Sequence, residues 1–226
     1  MEVVRVLLTE GSSLTAREVV TCFGPSGYHL EVLDPDPLCL ARFSRWVRRV
    51  HRSPRVGADP LGYLRMLREL HEHGLPQYIE CNPRTVEPGN AAASGVDIPD
   101  LQVRLTLGER LSSPPRVGRP GVLTHGTLAL LLGTAARDEG RRALLAQLRD
   151  SAFHRRVYRH SAEQLTPIRR DPPSLGPLAL VAAQLLLSPR RAAHIAASAV
   201  GSYSVTPAAI GQLRGTRSGG RGAAPR

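Results

Sequence analysis

The first 73 residues alternate between short apolar runs and amphipathic segments, and this alternation limits the fold more than any other feature. Short segments that contain Val, Leu or Tyr between turn residues predict strands, and segments with apolar residues at a 3.6-residue spacing predict helices. The predicted strands are residues 3–8, 28–33 and 47–51, and the predicted helices are residues 14–23, 38–43 and 60–73. Strands that alternate with helices indicate an α/β fold with a parallel sheet, here one half of a doubly wound, Rossmann-like arrangement.

The turn after the first predicted strand contains Gly11, Ser12 and Ser13. A helix that starts at these serines can accept an anion at its N-terminus. The turn lacks the G-x-G-x-x-G pattern of dinucleotide-binding proteins, so a Rossmann cofactor site is not indicated. The alternative is that Gly11 only makes the turn.

The chain after residue 97 is predicted to be mostly helical, with a Pro/Gly/Ser/Arg linker at residues 112–121. The predicted helices are residues 99–109, 124–137, 140–153, 175–187, 189–200 and 207–213. The tail from Arg214 contains mainly Gly, Arg and Ala, a composition that predicts disorder.

The most specific motif is Glu80-Cys81-Asn82-Pro83-Arg84, which comes directly after a strand-like run at residues 77–79. Side chains two apart on a strand share a face, which would bring Glu80 and Asn82 together. Carboxylate and amide oxygens suit Mg²⁺, and an arginine fork suits a phosphate. The alternative is an ordinary turn, because Asn-Pro and Pro-Arg are common turn dipeptides.

This motif resembles the metal-binding strand of the ATP-grasp superfamily, and the small-residue stretch at residues 85–99 resembles the segment next to that strand. The similarity is to the branch of carbamoyl-phosphate synthase and biotin carboxylase, and residues 6–34 resemble the pre-ATP-grasp domain of that branch. The resemblance implies a ligase that uses ATP and Mg²⁺ or Mn²⁺ to activate a small-molecule carboxylate. Glu80 and Asn82 would then be metal ligands, and Arg84 would be the catalytic residue.

The nucleotide-binding part that this family requires has no counterpart between residues 73 and 77, because the chain has no lysine and no glycine-rich loop there. We interpret the chain as the two ends of such a protein, joined by an internal deletion. We therefore expect the structure to contain two weakly coupled parts. The predicted divisions are residues 1–73 (pre-ATP-grasp-like), 74–111 (C-terminal ATP-grasp fragment), 112–213 (helical) and 214–226 (disordered tail). The alternative function is a catalytically silent remnant or an interaction protein.

Charge and composition narrow the possible partners. All 30 basic residues are arginine and the net charge is +11, but the charges are spread along the chain and only 4% of the residues are aromatic. A single-strand-binding groove needs basic and aromatic residues together, so we expect no nucleic-acid partner. The apolar run at residues 175–187 is too short to cross a bilayer, so we expect no membrane partner.

The remaining reactive side chains predict no catalytic site. Three cysteines without a C-x-x-C pair, and no signal peptide, favour a reducing, cytoplasmic location. His125 lies at a predicted helix start and is interpreted as a cap-region residue, and Glu87 as a solvated loop residue. No Ser/His/Asp order, H-E-x-x-H motif or paired Cys/His spacing is present.

Overall fold

The computed structural model describes residues 3–72, 88–110, 117–192, 194–195 and 206–219. The strands are β1 (Arg5–Thr9), β2 (His29–Asp34), β3 (Val47–Arg52), β4 (Leu123–His125) and β5 (Ser161–Glu163). The helices are α1 (Leu14–Phe23), α2 (Pro60–Glu72), α3 (Pro88–Ser94), α4 (Ile98–Thr106), α5 (Thr127–Ala136), α6 (Gly140–Ala152), α7 (Leu175–Leu187) and α8 (Pro207–Gly219). Short 3-10 turns lie at Gly24–Ser26, Leu40–Phe43, Arg156–Tyr158 and Pro172–Ser174.

The first three strands form a parallel sheet with β2 in the middle. Arg5 of β1 lies opposite His29, and Leu30 of β2 lies opposite Val47 of β3. The molecule is therefore mixed α/β with parallel strands, as the alternating pattern predicts. Among the described helices, none combines the length and apolar content needed to cross a bilayer.

Helix α1 has the bounds that its sequence predicts, because both of its ends are specified locally. The Ser13 hydroxyl accepts a hydrogen bond from the Ala16 backbone N–H at 2.9 Å and caps the first turn. At the other end, a Cβ on Gly24 would lie 2.3 Å from the Trp46 ring, so only glycine fits there. Pro25 comes next and cannot continue the helical hydrogen bonding.

The described residues pack into two main cores. The first lies between the β1-β2-β3 sheet and α1 and contains Val6, Leu8, Val19, Val20, Phe23, Leu30 and Val32. The second lies among the C-terminal helices and contains Leu128, Leu131, Leu144, Leu165, Leu178 and Leu185. A smaller cluster of Leu7, Leu33 and Tyr63 lies on the α2 side of the sheet.

These cores are joined by buried contacts, so the expectation of two weakly coupled parts is wrong. Val103 of α4 is buried in the first core, and Leu14 of α1 packs against the second. The Arg17 guanidinium donates to the Asp171 carboxylate at 2.6 Å, and both side chains are fully buried. This buried pair joins α1 to the segment that precedes α7.

The helix predicted over residues 124–137 is present, but its predicted start is wrong. Residues 123–125 form strand β4, parallel to β5, and the helix begins only at Thr127. Gly126 separates the two because its backbone is extended, with φ −126° and ψ 102°. The short β5 strand and helix α3 were not predicted.

Several predictions fall partly or wholly outside the described residues. The strand at 77–79 lies outside them, and the linker at 112–121 and the helix at 189–200 do so in part. Helix α8 continues through Gly219, past the predicted start of the disordered tail at Arg214.

Candidate functional site

The three residues predicted from the sequence to form the metal site, Glu80, Asn82 and Arg84, lie outside the described residues. The described chain resumes with α3, which is held against α1. The Gly89 backbone N–H donates to the Glu18 carboxylate at 3.0 Å, and a Cβ on Gly89 would lie 2.6 Å from the same oxygen. In the part of the chain that is described, no group of three His, Cys, Asp or Glu side chains is arranged to hold a metal ion.

The position at Ser12, just before the N-cap of α1, is already occupied by a carboxylate of the protein itself. The Ser12 backbone N–H and hydroxyl both donate to Asp34, at 2.8 Å and 3.1 Å. A Cβ on Gly11 would lie 2.4 Å from Val32, so glycine is needed there for close packing. The turn interpretation of Gly11 is therefore favoured over an external anion site.

The same end of the sheet is acidic. Burial, and secondarily the charge of Asp34, raise the pKa of the Glu10 carboxyl. Glu10 also has a left-handed backbone with φ 58°, which is uncommon outside glycine. Glu10 and Asp34 both lie at the C-terminal ends of their strands, and their negative charges would repel a phosphate ligand.

The structure brings together three residues that the sequence analysis did not connect: His125, Ser161 and Glu163. The His125 Nδ1 lies 2.8 Å from the Ser161 hydroxyl, and its Nε2 lies 3.4 Å from the Glu163 carboxylate. Burial lowers the pKa of His125, the Glu163 charge opposes that shift and His154 adds to it. The strands that carry these residues pair in parallel, and this pairing has no local sequence signal.

The hydrogen bonds of this cluster indicate a structural role. Glu163 accepts from the backbone N–H of Thr127, Leu165 and Thr166, at 2.8–2.9 Å, and so caps helix α5. The Ser161 hydroxyl donates to the Tyr158 carbonyl at 3.0 Å and is only 8% exposed. A hydroxyl that is buried and already bonded cannot reach a substrate, so the cluster locks β4 and β5 to α5.

The described cysteines are not nucleophiles. Cys22 and Cys39 are free and buried. Burial raises the pKa of both thiols, that of Cys39 to about 11. The reactive thiolate is therefore scarce at neutral pH.

The described residues form a groove of about 730 Å³ between α1, α3 and the β4–β5 pair. Its walls carry Arg119, His160 and Arg170, together with one carboxylate, Asp97. We call this the arginine groove. Its volume lies within the range of about 300–1,000 Å³ that is typical of small-molecule sites.

Comparison of the chain with protein-family models, curated proteins and solved structures finds no match.

Proposed function

We propose that this protein is an ATP-grasp-type ligase that uses ATP and Mg²⁺ to activate a small-molecule carboxylate. Glu80 and Asn82 bind the metal, and Arg84 contacts the phosphorylated substrate. The observation that carries the proposal is the motif E-x-N-P-R at residues 80–84, followed by a small-residue stretch. Mg²⁺ prefers oxygen ligands, and the carboxylate of Glu80 and the amide of Asn82 supply them.

The described fold supports the proposal at two points. The N-terminal unit has parallel strands in the order β1-β2-β3, which is compatible with a Rossmann-like half. Helix α3, which comes after the motif in sequence, packs on α1 of that unit through Gly89 and Glu18. The residues after the motif are thus part of one packed structure with the N-terminal sheet.

The proposed chemistry is phosphoryl transfer followed by acyl transfer. A carboxylate oxygen of the substrate attacks the γ-phosphorus of ATP, and ADP leaves as an acyl phosphate forms. An amine or similar nucleophile then attacks the acyl carbon, and inorganic phosphate leaves. The protein contributes mainly positioning and charge stabilisation to such a reaction, which is why an arginine is suitable at position 84.

We place this activity in the cytoplasm, where ATP is available and where free thiols such as Cys22 and Cys39 stay reduced.

The first test of the proposal is calorimetric titration with Mg²⁺–ATP. The chain has no lysine to contact the phosphates, so we expect saturation only at millimolar nucleotide. Micromolar affinity would show that other residues supply the nucleotide contacts. Sequencing the genomic DNA across the codons for residues 70–80 adds an independent check, because an unread coding stretch there would restore the nucleotide-binding part.

A second candidate is a catalytically silent protein that binds a partner. It is favoured by the missing nucleotide-binding part and by two exposed leucines on α7, Leu180 (58% exposed) and Leu187 (75% exposed). Residues seven apart lie on the same helix face, so these leucines form one apolar stripe. If the DNA across codons 70–80 is uninterrupted and ATP does not bind, this second candidate replaces the ligase.

A further inference from the structure

The arginine groove is formed by segments that are far apart in the chain. The end of α1 supplies one wall, Ala92 and Ala93 of α3 a second, and the β4–β5 pair with its flanking residues a third. Successive residues of β5 lie on opposite faces of the strand: Ser161 and Glu163 contact the buried His125 cluster, whereas Ala162 lines the groove. The network around His125 therefore fixes the groove wall from behind.

The charge of the groove is unbalanced. Among the described residues, no carboxylate lies within ion-pairing distance of Arg119, Arg170 or His160, although eleven other pairs with carboxylates are formed. The lining carboxylate, Asp97, is engaged as the N-cap of α4, where it accepts from the Asp100 backbone N–H at 3.0 Å. Burial is the main influence on the Asp97 carboxyl and raises its pKa.

Backbone hydrogen bonds hold both Arg119 and Arg170 in position. The Arg119 backbone N–H donates to the Ser94 carbonyl at 2.9 Å, and its guanidinium reaches the Ala93 carbonyl at 3.4 Å. The Arg170 backbone N–H donates to the Pro167 carbonyl at 2.8 Å, and the next residue is the buried Asp171. A guanidinium has five N–H donors, and the hydrogen bonds formed with the described residues use only one donor of the Arg119 guanidinium and none of Arg170.

We propose that the arginine groove binds a phosphate-bearing small molecule through Arg119, Arg170 and His160. A phosphate offers three acceptor oxygens and up to two negative charges, which match two guanidinium forks and an imidazole N–H. The small side chains of Ala92, Ala93 and Ala162 let such a group approach the groove wall closely. None of the described residues that line the groove belongs to the proposed metal motif, so the test of this site can be made without the metal.

The test is calorimetric titration of the full chain with pyrophosphate in buffer containing EDTA, so that the result is independent of the metal site. The double variant Arg119→Gln/Arg170→Gln should weaken binding at least about tenfold, because two charge-assisted contacts are lost. The matched control is Arg48→Gln/Arg142→Gln, which removes the same charge from two exposed arginines outside the groove. The control should bind pyrophosphate within about twofold of the unaltered chain, since a change in net charge alone acts weakly at a distance.

A second variant keeps both arginines. Ala162→Glu places a carboxylate inside the groove, and it should weaken pyrophosphate binding by a similar factor while thermal unfolding stays unchanged. Equal weakening in the groove and control pairs, or no saturable binding at millimolar pyrophosphate, would overturn the proposal. Tighter binding of succinate than of pyrophosphate would overturn the assignment to phosphate.

Discussion

At the scale of single residues, Glu31 shows how the fold handles a buried charge. Its carboxylate is 1% exposed in the central strand, and it lies 2.5 Å from both the Arg5 guanidinium and the His51 Nε2. Burial raises the pKa of Glu31, but the hydrogen bonds and charges of Arg5 and His51 together outweigh burial and hold that pKa below its ordinary value.

This shift predicts a loss of stability in acid. Because the folded pKa of Glu31 is below the unfolded one, its contribution is fully present above the unfolded pKa of about 4.3. The contribution disappears as the pH falls through the folded value. Glu31→Gln should lower the free energy of unfolding by about 1–3 kcal/mol at pH 7, from lost charge-assisted hydrogen bonds, and flatten its decline below pH ~5.

Urea unfolding measured between pH 7 and pH 3 checks this prediction. The control is Glu72→Gln, whose exposed side chain pairs with Arg68. Parallel stability curves for Glu31→Gln and the unaltered chain would show that the Glu31 charge is not linked to folding.

At the scale of elements, the junction between β4 and α5 depends on one glycine. A Cβ on Gly126 would lie 2.4 Å from Leu165 Cδ1 and 2.9 Å from its Cγ, and Leu165 is buried in the second core. Gly133, inside α5, has room, because an added Cβ would meet only the flexible end of Arg137 at 3.3 Å.

The two glycines should therefore respond in opposite directions to alanine. Gly126→Ala should lower the free energy of unfolding by about 1–3 kcal/mol through overpacking against Leu165. Gly133→Ala should raise it by about 0.4–1 kcal/mol, since alanine restricts the unfolded chain and favours the helix. Chemical denaturation measures both; a stabilising Gly126→Ala would mean that Leu165 is free to move.

The helices and strands also show how much of the fold the sequence can predict. The bounds of α1 and α7 are confirmed, because apolar periodicity and flanking Ser, Gly and Pro residues specify them locally. Strands β4 and β5 were missed because each has three residues and is defined by pairing between positions far apart in the chain. The arginine groove was missed for the same reason, since its cationic residues meet only in the folded chain.

At the scale of the whole molecule, one buried ion pair joins helix α1 to the segment that precedes α7. Arg17 and Asp171 are 154 positions apart, and the second Asp171 oxygen accepts from the Arg45 backbone N–H at 2.7 Å. Removing one partner leaves the other charge buried without compensation.

Asp171→Ala should lower the free energy of unfolding by about 3–5 kcal/mol, the usual cost of an unpaired buried charge. Glu72→Ala, which breaks the exposed pair with Arg68, should cost less than about 1 kcal/mol. The double variant Arg17→Met/Asp171→Leu should recover much of the loss, because it leaves no unpaired charge. Similar losses for Asp171→Ala and Glu72→Ala in urea unfolding would contradict a coupling role for the buried pair.

The central claim is that Glu80 and Asn82 are the ligands of a divalent cation. Water-proton relaxation with Mn²⁺ tests it directly, because bound Mn²⁺ enhances the relaxation rate. We expect a weak, saturable enhancement in the unaltered chain, which Glu80→Gln/Asn82→Ala abolishes and the matched variant Glu87→Gln/Asn90→Ala retains. An enhancement that survives Glu80→Gln/Asn82→Ala, or none in the unaltered chain at millimolar Mn²⁺, would contradict the claim.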